Sequence, residues 1–368
     1  MNSTPSANLE KIEDIGKQVN LRGWKNKLIF GDNARVLKYL EKNLSERPKL
    51  VYIDPPFATK QTFSKGESKT QTISRSENGV TAYNDFLTGK RYLEFLRKRL
   101  VFLKRILAEE GSIYVHIGDE AVSYVKIIMD EIFGEKNCKN NITRIKCNPK
   151  NFERRAYGNF KDNILFYTKS NESIWNGSWE SLSEDEIKRR FSKKNKKGER
   201  YTTTPLHAPG ESNGKTGKKW KGLKPGEGRH WRYNPKKLSK LDKEGKIEWS
   251  SNGNPRLIRY AKESIRKGKK RQDVWKFKDP QHPSYPTQKN KHLLKEVIKA
   301  SSNEDDIVLD AFCGSGATLI AAEELNRRWI GIDSSKVAIK QVIENFKQLK
   351  KFQKFSLYKE KENVNPLE

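Results

Sequence analysis

The feature that most constrains the fold of this chain is an apolar run that ends in a rigid turn, Val51-Tyr52-Ile53-Asp54-Pro55-Pro56-Phe57. Its apolar residues are β-branched or aromatic, which predicts a buried strand. The turn then offers a carboxylate, two prolines that fix the backbone and an aromatic side chain. Open α/β sheets place their binding sites at this end of a strand. Taken alone, the turn could equally be an ordinary strand ending, since Asp and Pro are common in turns.

A second apolar run near the other end of the chain, from Ile307 to Asp310, leads into a turn that contains Gly314 and Gly316. Glycine permits backbone angles and close approaches that a side chain would forbid, so a ligand can lie against this turn. About 20 residues further on, Asp333 ends the next predicted strand, where an acid commonly binds ribose hydroxyls. Because the carboxylate of Asp310 suits a cation better than a pyrophosphate, the two acids favour S-adenosylmethionine over a dinucleotide.

Alternating strand and helix patterns predict an α/β fold with a doubly wound, mostly parallel sheet. Two predicted strands with no helix between them, at 141–146 and 163–168, indicate an antiparallel hairpin at one edge of the sheet. Segment 58–90 leaves the first turn without periodicity, and we interpret it as a lid over the site. We expect five regions in chain order: an N-terminal arm at 1–26, the first part of the α/β domain at 27–170, an insert at 171–279, the second part of the α/β domain at 280–350, and a polar tail at 351–368.

Positive charge is concentrated in the predicted insert. The chain has 75 Lys and Arg against 46 Asp and Glu, a formal net charge of +29, and 28 of these cations lie between positions 188 and 271. Such a stretch could be a solvated surface or a disordered segment. The stretch 188–275 also contains four tryptophans, and aromatic residues interleaved with cations favour a folded unit that binds nucleic acid. The tryptophans are Trp220, Trp231, Trp249 and Trp275.

Several other classes of protein are not indicated. The sequence has no run of about 18 apolar residues and no apolar signal core at its N-terminus, so we expect a cytoplasmic protein without a membrane partner. Cys138, Cys147 and Cys313 lack the spacing of metal ligands, and we expect no bound metal. The stretch at 214–219 lacks the spacing of an ATP-binding phosphate loop.

Three motifs together resemble the S-adenosylmethionine-dependent DNA amino-methyltransferases in their circularly permuted, or beta, order. They are the Asp54-Pro55-Pro56-Phe57 turn, the segment Tyr285-Pro286-Thr287-Gln288-Lys289 and the glycine turn that begins at Asp310. In that order the catalytic motif precedes the target-recognition region, which precedes the cofactor turn. The resemblance implies a Rossmann-like class I methyltransferase fold with S-adenosylmethionine as its cofactor, and an inserted domain that recognises the DNA target.

The resemblance also implies roles for individual residues. Asp54 and the carbonyl of Pro55 would accept hydrogen bonds from the target amine, Pro56 would fix the turn, and Phe57 would stack on the extruded base. No covalent intermediate is required, and the Pro-Cys nucleophile of carbon-5 methylation is absent. The cofactor would be bound by the following residues: Asp32, Thr287, Gln288, Lys289, Asp310, Phe312, Gly314, Ser315, Gly316, Thr318 and Asp333.

The function that follows is methyl transfer to adenine N6 in double-stranded DNA, by base flipping and direct attack of the amine. Asp in the first position of the motif favours adenine; cytosine N4 is the nearest alternative. RNA methylation and a catalytically inactive DNA-binding protein are more distant alternatives. We expect a bacterial or archaeal enzyme that belongs to a restriction-modification system or stands alone, a monomer or homodimer that associates with the nucleoid when bound to DNA. Such a system allows a cognate restriction endonuclease as a partner.

Overall fold

The computed structural model describes residues 4–16, 24–56, 62–65, 80–84, 89–148, 155–279 and 289–361. The chain divides into two compact units. The first comprises Met1–Ser178 and Gln272–Glu368, and the second comprises Trp179–Arg271. The predicted insert, 171–279, therefore extends beyond the second unit on both sides.

The strands are β1 (Leu9–Ile15), β2 (Asn26–Phe30), β3 (Leu50–Ile53), β4 (Thr62–Lys65), β5 (Val80–Asn84), β6 (Ser112–Ile117), β7 (Cys138–Ile145), β8 (Lys161–Thr168), β9 (Trp179–Glu180), β10 (Lys193–Lys194), β11 (Arg200–Pro205), β12 (His207–Pro209), β13 (Arg229–Trp231), β14 (Ile247–Trp249), β15 (Pro255–Tyr260), β16 (Lys269–Lys270), β17 (Val274–Trp275), β18 (Ile307–Asp310), β19 (Arg328–Asp333) and β20 (Phe355–Glu360). The α-helices are α1 (Asn33–Asn43), α2 (Gly89–Ile106), α3 (Val122–Phe133), α4 (Glu184–Arg190), α5 (Pro235–Lys243), α6 (Ala261–Lys267), α7 (Lys291–Ser301), α8 (Ala317–Glu324) and α9 (Lys336–Lys347).

The first unit is built on a sheet in the order β1-β20-β2-β19-β18-β3-β6-β8-β7-β17. Neighbouring strands are parallel except in the pairs β1 with β20, β6 with β8, and β7 with β8. Helices α1, α2 and α3 contribute to the core on one face, and α7, α8 and α9 contribute to the core on the other. Strands buried on both faces read as continuous apolar runs, as β3 does. The predicted doubly wound, mostly parallel sheet is confirmed.

The predicted N-terminal arm and polar tail are wrong where the structure describes them. β1 pairs antiparallel with β20, and β20 runs parallel to β2, so both chain ends join the sheet. Phe355 anchors β20, because it is fully buried with its ring 5.1 Å from Trp329 and 5.2 Å from Phe346. β1, at the margin of the sheet, carries Glu10, Lys11, Glu13 and Asp14, and β20 ends in Lys359 and Glu360, and these charges concealed both strands in the sequence.

The predicted edge hairpin is right in its pairing and wrong in its position. β7 and β8 pair antiparallel, but β17 adds a further parallel strand beyond β7. β17 has only two residues, too few for any periodicity to reveal it. Its Trp275 is buried in the core of the first unit, although the sequence placed this residue in the insert.

The second unit has a small core of its own. Its main sheet is antiparallel in the order β10-β11-β15-β14, and two further strand pairs join β12 to β13 and β9 to β16. The core residues are Leu206, Trp220, Trp231, Leu238, Leu241 and Leu257. The alternative of a disordered basic segment is therefore wrong for 179–271, which folds around two of its tryptophans.

Within the predicted lid, 58–90, β4 and β5 pair antiparallel and α2 begins at Gly89. The rest of that segment lies outside the described residues, so its role as a lid stays a prediction. Across the described ranges, no helix is both long enough and apolar enough to cross a membrane. Within the same ranges, no three His, Cys, Asp or Glu side chains are grouped so as to hold a metal ion.

Candidate active site

The sheet brings the two predicted turns to the same edge. β18 lies between β19 and β3, with Val308 opposite Leu50 and Leu309 opposite Val51. Both strands run in the same direction, so Asp310 and Asp54 follow their carboxyl ends side by side. β19 in turn pairs with β2, which brings the residues that end those strands to the same edge. Four acids are gathered there, where doubly wound sheets bind their ligands: Asp32, Asp54, Asp310 and Asp333.

Asp54 is held by a residue from the other half of the chain. Its Oδ2 lies 3.1 Å from Nζ of Lys289, and both side chains are largely buried. Its Oδ1 is also buried and has no hydrogen-bond partner among the described residues. Pro55 behind it is buried and Pro56 is half-buried. The sequence assigned Lys289 to the cofactor; in the structure its ammonium group contacts the carboxylate assigned to catalysis.

A row of buried polar side chains continues from Asp54 across the sheet. We call it the inner row; it consists of Asp54 after β3, His116 on β6, Asp162 on β8 and Arg144 on β7. His116 Nε2 lies 3.0 Å from Oδ1 of Asp162, and its Nδ1 lies 2.8 Å from the hydroxyl of Tyr52 and 3.9 Å from Oδ1 of Asp54. Burial lowers the pKa of His116, and the nearby charge of Lys289 lowers it further. The imidazole is therefore neutral at neutral pH.

Arg144 closes the inner row at the far end. Its Nη1 lies 3.1 Å from Oδ2 of Asp162, its Nε donates to the carbonyl of Phe277 at 2.8 Å, and its Nη2 contacts Asp279. Burial opposes the negative charge of Asp162, but His116 and Arg144 outweigh it and lower the pKa of that carboxyl to about 2. The row thus holds buried charges in ion pairs, while Oδ1 of Asp54 and Oδ1 of Asp162 have no hydrogen-bond partner among the described residues.

Backbone groups shape the glycine turn. Gly314 and Gly316 have φ values of 50° and 80°, in the left-handed region that favours glycine. The Gly314 N–H donates to Oδ2 of Asp333, and the Ser335 N–H donates to Oδ1 of Asp333, both at 2.8 Å. A Cβ on Gly316 would lie 3.0 Å from Val342. The carbonyl of Ser315 accepts from Asn345 at 2.9 Å, which fixes the turn to α9.

Asp310 is deeply buried, with 2% of its surface exposed. Burial raises its pKa to about 7, and the negative charges of Asp54 and Asp333 act in the same direction. The Phe312 N–H donates to its Oδ1 at 3.0 Å, and the Thr318 hydroxyl is a second partner. Carboxylates crowded beside a bare backbone turn suit a ligand with a cationic centre and hydroxyl groups. These residues therefore fit S-adenosylmethionine.

Asp32 lies at the same edge but its carboxylate is already engaged. Its Oδ1 accepts from the Arg35 N–H at 3.0 Å and caps α1, and its Oδ2 pairs with Arg99 at 2.9 Å. Arg99 also bonds Asn33, whose amide reaches the carbonyl of Ala311 in the glycine turn at 2.8 Å. Asp32 is thus linked to the turn through side chains of α1 and α2.

Three of the predicted site residues, Phe57, Thr287 and Gln288, lie outside the described residues, and their places in the site stay predictions. Sequence reasoning missed His116, Arg144 and Asp162. A signal was present for Arg144, which stands two residues after the buried Ile142 and faces the same side of β7. β6 and β8 are buried almost throughout, so no alternation marks His116 or Asp162.

A doubly wound sheet whose strand-end acids flank a glycine turn is a Rossmann-like architecture. The chain belongs to the DNA methylase family of N6 and N4 methyltransferases, since the sequence profile of that family matches residues 49–344. It is a DNA methyltransferase, and S-adenosylmethionine is its cofactor. Membership of a DNA methylase family leaves no support for the alternative of RNA methylation.

Individual relatives agree with this family. The type II methyltransferase M.EcaI of Enterobacter cloacae is 41% identical over 87% of this chain, which spans 69% of M.EcaI. The Mod subunit of the type III restriction-modification enzyme StyLTI of Salmonella typhimurium is 26% identical over 82% of this chain, which spans half of that subunit. The solved M1.HpyAVI complex with SAM is 16% identical, with a TM-score of 0.44 over 87% of this chain and 99% of that one.

Proposed function

We propose that this chain methylates the exocyclic N6 amine of adenine at a specific site in double-stranded DNA. The observation that carries the proposal is the position of Asp54, a largely buried carboxylate at the end of β3, beside the buried Asp310 of the glycine turn. A carboxylate accepts hydrogen bonds and can align an amine for attack. Asp in this position favours adenine over cytosine within the family, and N4 of cytosine is the alternative target.

The cofactor would lie against the glycine turn, on the proposed contacts of Gly314, Ser315 and Gly316. Asp333 accepts backbone N–H bonds from Gly314, Ser334 and Ser335, and a carboxylate has about four acceptor sites, so a further hydrogen bond from a ribose hydroxyl can still be accepted. Asp310, Phe312 and Thr318 would line the inner side of the turn. The remaining proposed contacts are Asp32, Thr287, Gln288 and Lys289.

S-adenosylmethionine supplies a methyl group on a sulfonium, which is already an activated donor. The chain then needs only to position the amine. Asp54 and the Pro55 carbonyl would accept its hydrogen bonds, while Pro56 holds the turn rigid and Phe57 stacks on the base. The base must leave the duplex to reach Asp54, at a cost of a few kcal/mol.

The second unit would supply the contacts with DNA that select the site. Trp249 is 40% exposed and stacks on the buried Trp220 with ring centroids 5.7 Å apart, and Nζ of Lys221 lies within 6 Å of both rings. An exposed aromatic ring beside a cation suits a base or sugar next to a phosphate. The high positive charge of 188–271 suits the DNA backbone.

The test is methylation of unmodified genomic DNA with labelled cofactor, followed by digestion to nucleosides and mass analysis. The product expected is N6-methyladenosine in its deoxy form, and Asp54→Ala protein should be inactive. The matched control is Asp119→Ala, because Asp119 is another acid at a strand end that pairs with a lysine, Lys161. N4-methylcytosine would select the alternative target, and an active Asp54→Ala protein would contradict the catalytic assignment.

Membership of a restriction-modification system is part of the proposal, supported by the names of the two relatives. A cognate restriction endonuclease, a monomeric or homodimeric state and a cytoplasmic location are its further predictions. Mapping the modified base in sequence and testing whether methylated DNA resists a co-encoded nuclease would check the first of them.

A further inference from the structure

We propose that His116 is a positioning residue that acts through Asp54. Asp54 receives a proton from the methylated amine, and His116 then accepts that proton from Asp54. The inference rests on the proposed role of Asp54 as the acceptor of the target amine. It concerns a residue that the sequence motifs do not include.

The unpaired oxygen of Asp54 faces the imidazole. Oδ1 is buried and has no hydrogen-bond partner in the described part of the chain, whereas Oδ2 is paired with Lys289. His116 Nδ1 is 3.9 Å from Oδ1, an ion-pair distance rather than a hydrogen bond. A movement of about 1 Å would bring the two atoms to hydrogen-bond distance. A buried acceptor without a donor is costly, so a proton placed between these atoms would remove that cost.

The remaining contacts of His116 decide which ring nitrogen can accept a proton. Nε2 lies 3.0 Å from a carboxylate oxygen of Asp162 and 3.5 Å from the guanidinium of Arg144. The shorter contact with an acceptor assigns the imidazole proton to Nε2, since Arg144 can only donate. Nδ1 then carries the lone pair, accepts from the Tyr52 hydroxyl at 2.8 Å, and is the nitrogen turned toward Asp54.

Two carboxylates favour a proton on His116. The groups that contact it or its ion-pair partners include the carboxylates of Asp54, Asp162 and Asp279, the cations Lys289 and Arg144, and the neutral hydroxyl of Tyr52. Burial and Lys289 lower the pKa of His116, and Asp162 and Asp54 act against them to raise it. Protonation of His116 would place the imidazolium between these two carboxylates.

The proton comes from the amine itself. When the nitrogen forms its bond to the methyl group, the bond from that methyl to sulfur breaks and its electron pair stays on sulfur. The nitrogen then carries a positive charge and one proton too many. That proton passes to Oδ1 of Asp54 and on to Nδ1 of His116, and the Tyr52 hydroxyl turns to accept from Nδ1. The positive charge of the reaction is thereby kept within the inner row until the product leaves and solvent takes the proton.

The first test measures the single-turnover rate of methyl transfer against pH. His116 must be neutral to accept, so the wild-type rate should fall as the pH drops through the pKa of His116, which lies below the usual histidine value. Methyl transfer by His116→Gln protein should be slower by about tenfold or more. Its rate should also no longer fall at low pH, the part of the pH profile that we call the acid limb. Its affinity for S-adenosylmethionine should stay within about twofold of wild type, which would exclude simple misfolding.

Two tyrosines provide a matched pair of variants. Tyr52 and Tyr114 lie opposite each other on β3 and β6, and both are fully buried with a hydroxyl hydrogen bond of 2.8 Å. Only Tyr52 bonds His116, because Tyr114 bonds Ser301. Tyr52→Phe removes the hydroxyl that bonds Nδ1 in both protonation states and should shift the acid limb. Tyr114→Phe should leave the limb where it is.

The pKa of His116 can also be measured without substrate or cofactor, by NMR titration of the imidazole in protein labelled at histidine. The His116 signal is the one missing from His116→Gln protein. Asp54→Asn removes a carboxylate that favours the imidazolium, so the pKa of His116 should fall. Asp119→Asn should not change it.

The outcomes separate the two proposals. If Asp54→Ala protein is active, the proposed function fails. If it is inactive while His116→Gln keeps the wild-type rate and pH profile, or Asp54→Asn leaves the pKa of His116 unchanged, the role of His116 alone is wrong.

Discussion

The two halves of the site hold their carboxylates by different means. Asp54 is held by side chains, with Lys289 on one oxygen and the inner row behind the other. Asp333 is held by backbone N–H groups from the glycine turn and from the start of α9. A substitution several strands away can alter the position and charge of Asp54, because each side chain of the inner row contacts the next. The half built from backbone depends on turn conformation, and hence on glycine.

The largest effect on stability is expected from Arg144→Met, which removes the far end of the inner row. Asp162 would keep its buried negative charge with one partner fewer, and breaking a buried ion pair costs about 3–5 kcal/mol. Urea unfolding measures this cost.

The control for Arg144→Met is Arg97→Met, since Arg97 pairs with Glu131 at the surface of the same unit. An exposed pair should change stability by about 1 kcal/mol or less. Equal losses in the two variants would mean that the inner row is no more important to stability than a surface contact.

Gly316→Ala should disrupt the half of the site that is built from the backbone of the glycine turn. A residue with a side chain in the left-handed region costs about 1–2 kcal/mol, and the new Cβ would also press on Val342 at 3.0 Å. We expect loss of stability and clearly weaker binding of S-adenosylmethionine, measured by urea unfolding and calorimetry.

Gly89→Ala is the matched control for the glycine turn. Gly89 has φ of 57°, and a Cβ there would meet nothing within 4 Å. Gly89→Ala protein should lose only the stability that the left-handed backbone conformation costs, and it should bind cofactor normally. If both variants bind cofactor equally well, the turn is not the cofactor site.

The contrast between the halves also explains what the sequence could reveal. The Asp54 turn and the glycine turn are local strings whose chemistry can be read directly, and their meeting follows from a parallel sheet. The pairing of Lys289 with Asp54, and the alignment of His116, Asp162 and Arg144, arise from strands far apart in the chain. Each lies in a strand that carries other polar residues too, and without the sheet order nothing says which of them face one another.

The chain ends illustrate a second limit. β1 and β20 form because they complete each other at the margin of the sheet, and Phe355 adds to a core that other strands provide. Tertiary pairing overrides their weak local preference for strand. The two-residue β17 is the extreme case, since its only reason to be extended is its neighbour β7.

A smaller, pH-dependent effect is expected at Asp310, which stands between the halves. Its pKa of about 7 means that the carboxyl is neutral below that pH and ionised above it. The cationic cofactor prefers the ionised form, whose fraction falls about tenfold per pH unit below the pKa. Affinity for S-adenosylmethionine should therefore be about tenfold weaker at pH 6 than at pH 8 by calorimetry.

S-adenosylhomocysteine is the matched ligand for that measurement, because it lacks the sulfonium charge and should show a shallower dependence. Asp310→Asn should bind S-adenosylmethionine weakly at every pH. A pH-independent affinity in the wild-type protein would mean that Asp310 does not sense the cofactor charge.

The smallest effect on stability is expected at Asp32, whose carboxylate accepts from a backbone N–H with one oxygen and pairs with Arg99 through the other. Asp32→Asn keeps the cap on α1, because Asn caps as well as Asp, but it loses the ion pair with Arg99. Since Arg99 keeps its bonds to Asn33 and to the Phe95 carbonyl, we expect a loss of about 1 kcal/mol in urea unfolding.

Asp32→Ala also removes the cap and should cost about 1 kcal/mol more. Cofactor affinity distinguishes the two roles that Asp32 could have at this edge. If Asp32 contacts the adenine end, both variants weaken binding of S-adenosylmethionine. If Asp32 serves only to link α1 to α2, the affinity stays at the wild-type value in Asp32→Asn, and Asp32 is then removed from the proposed cofactor contacts.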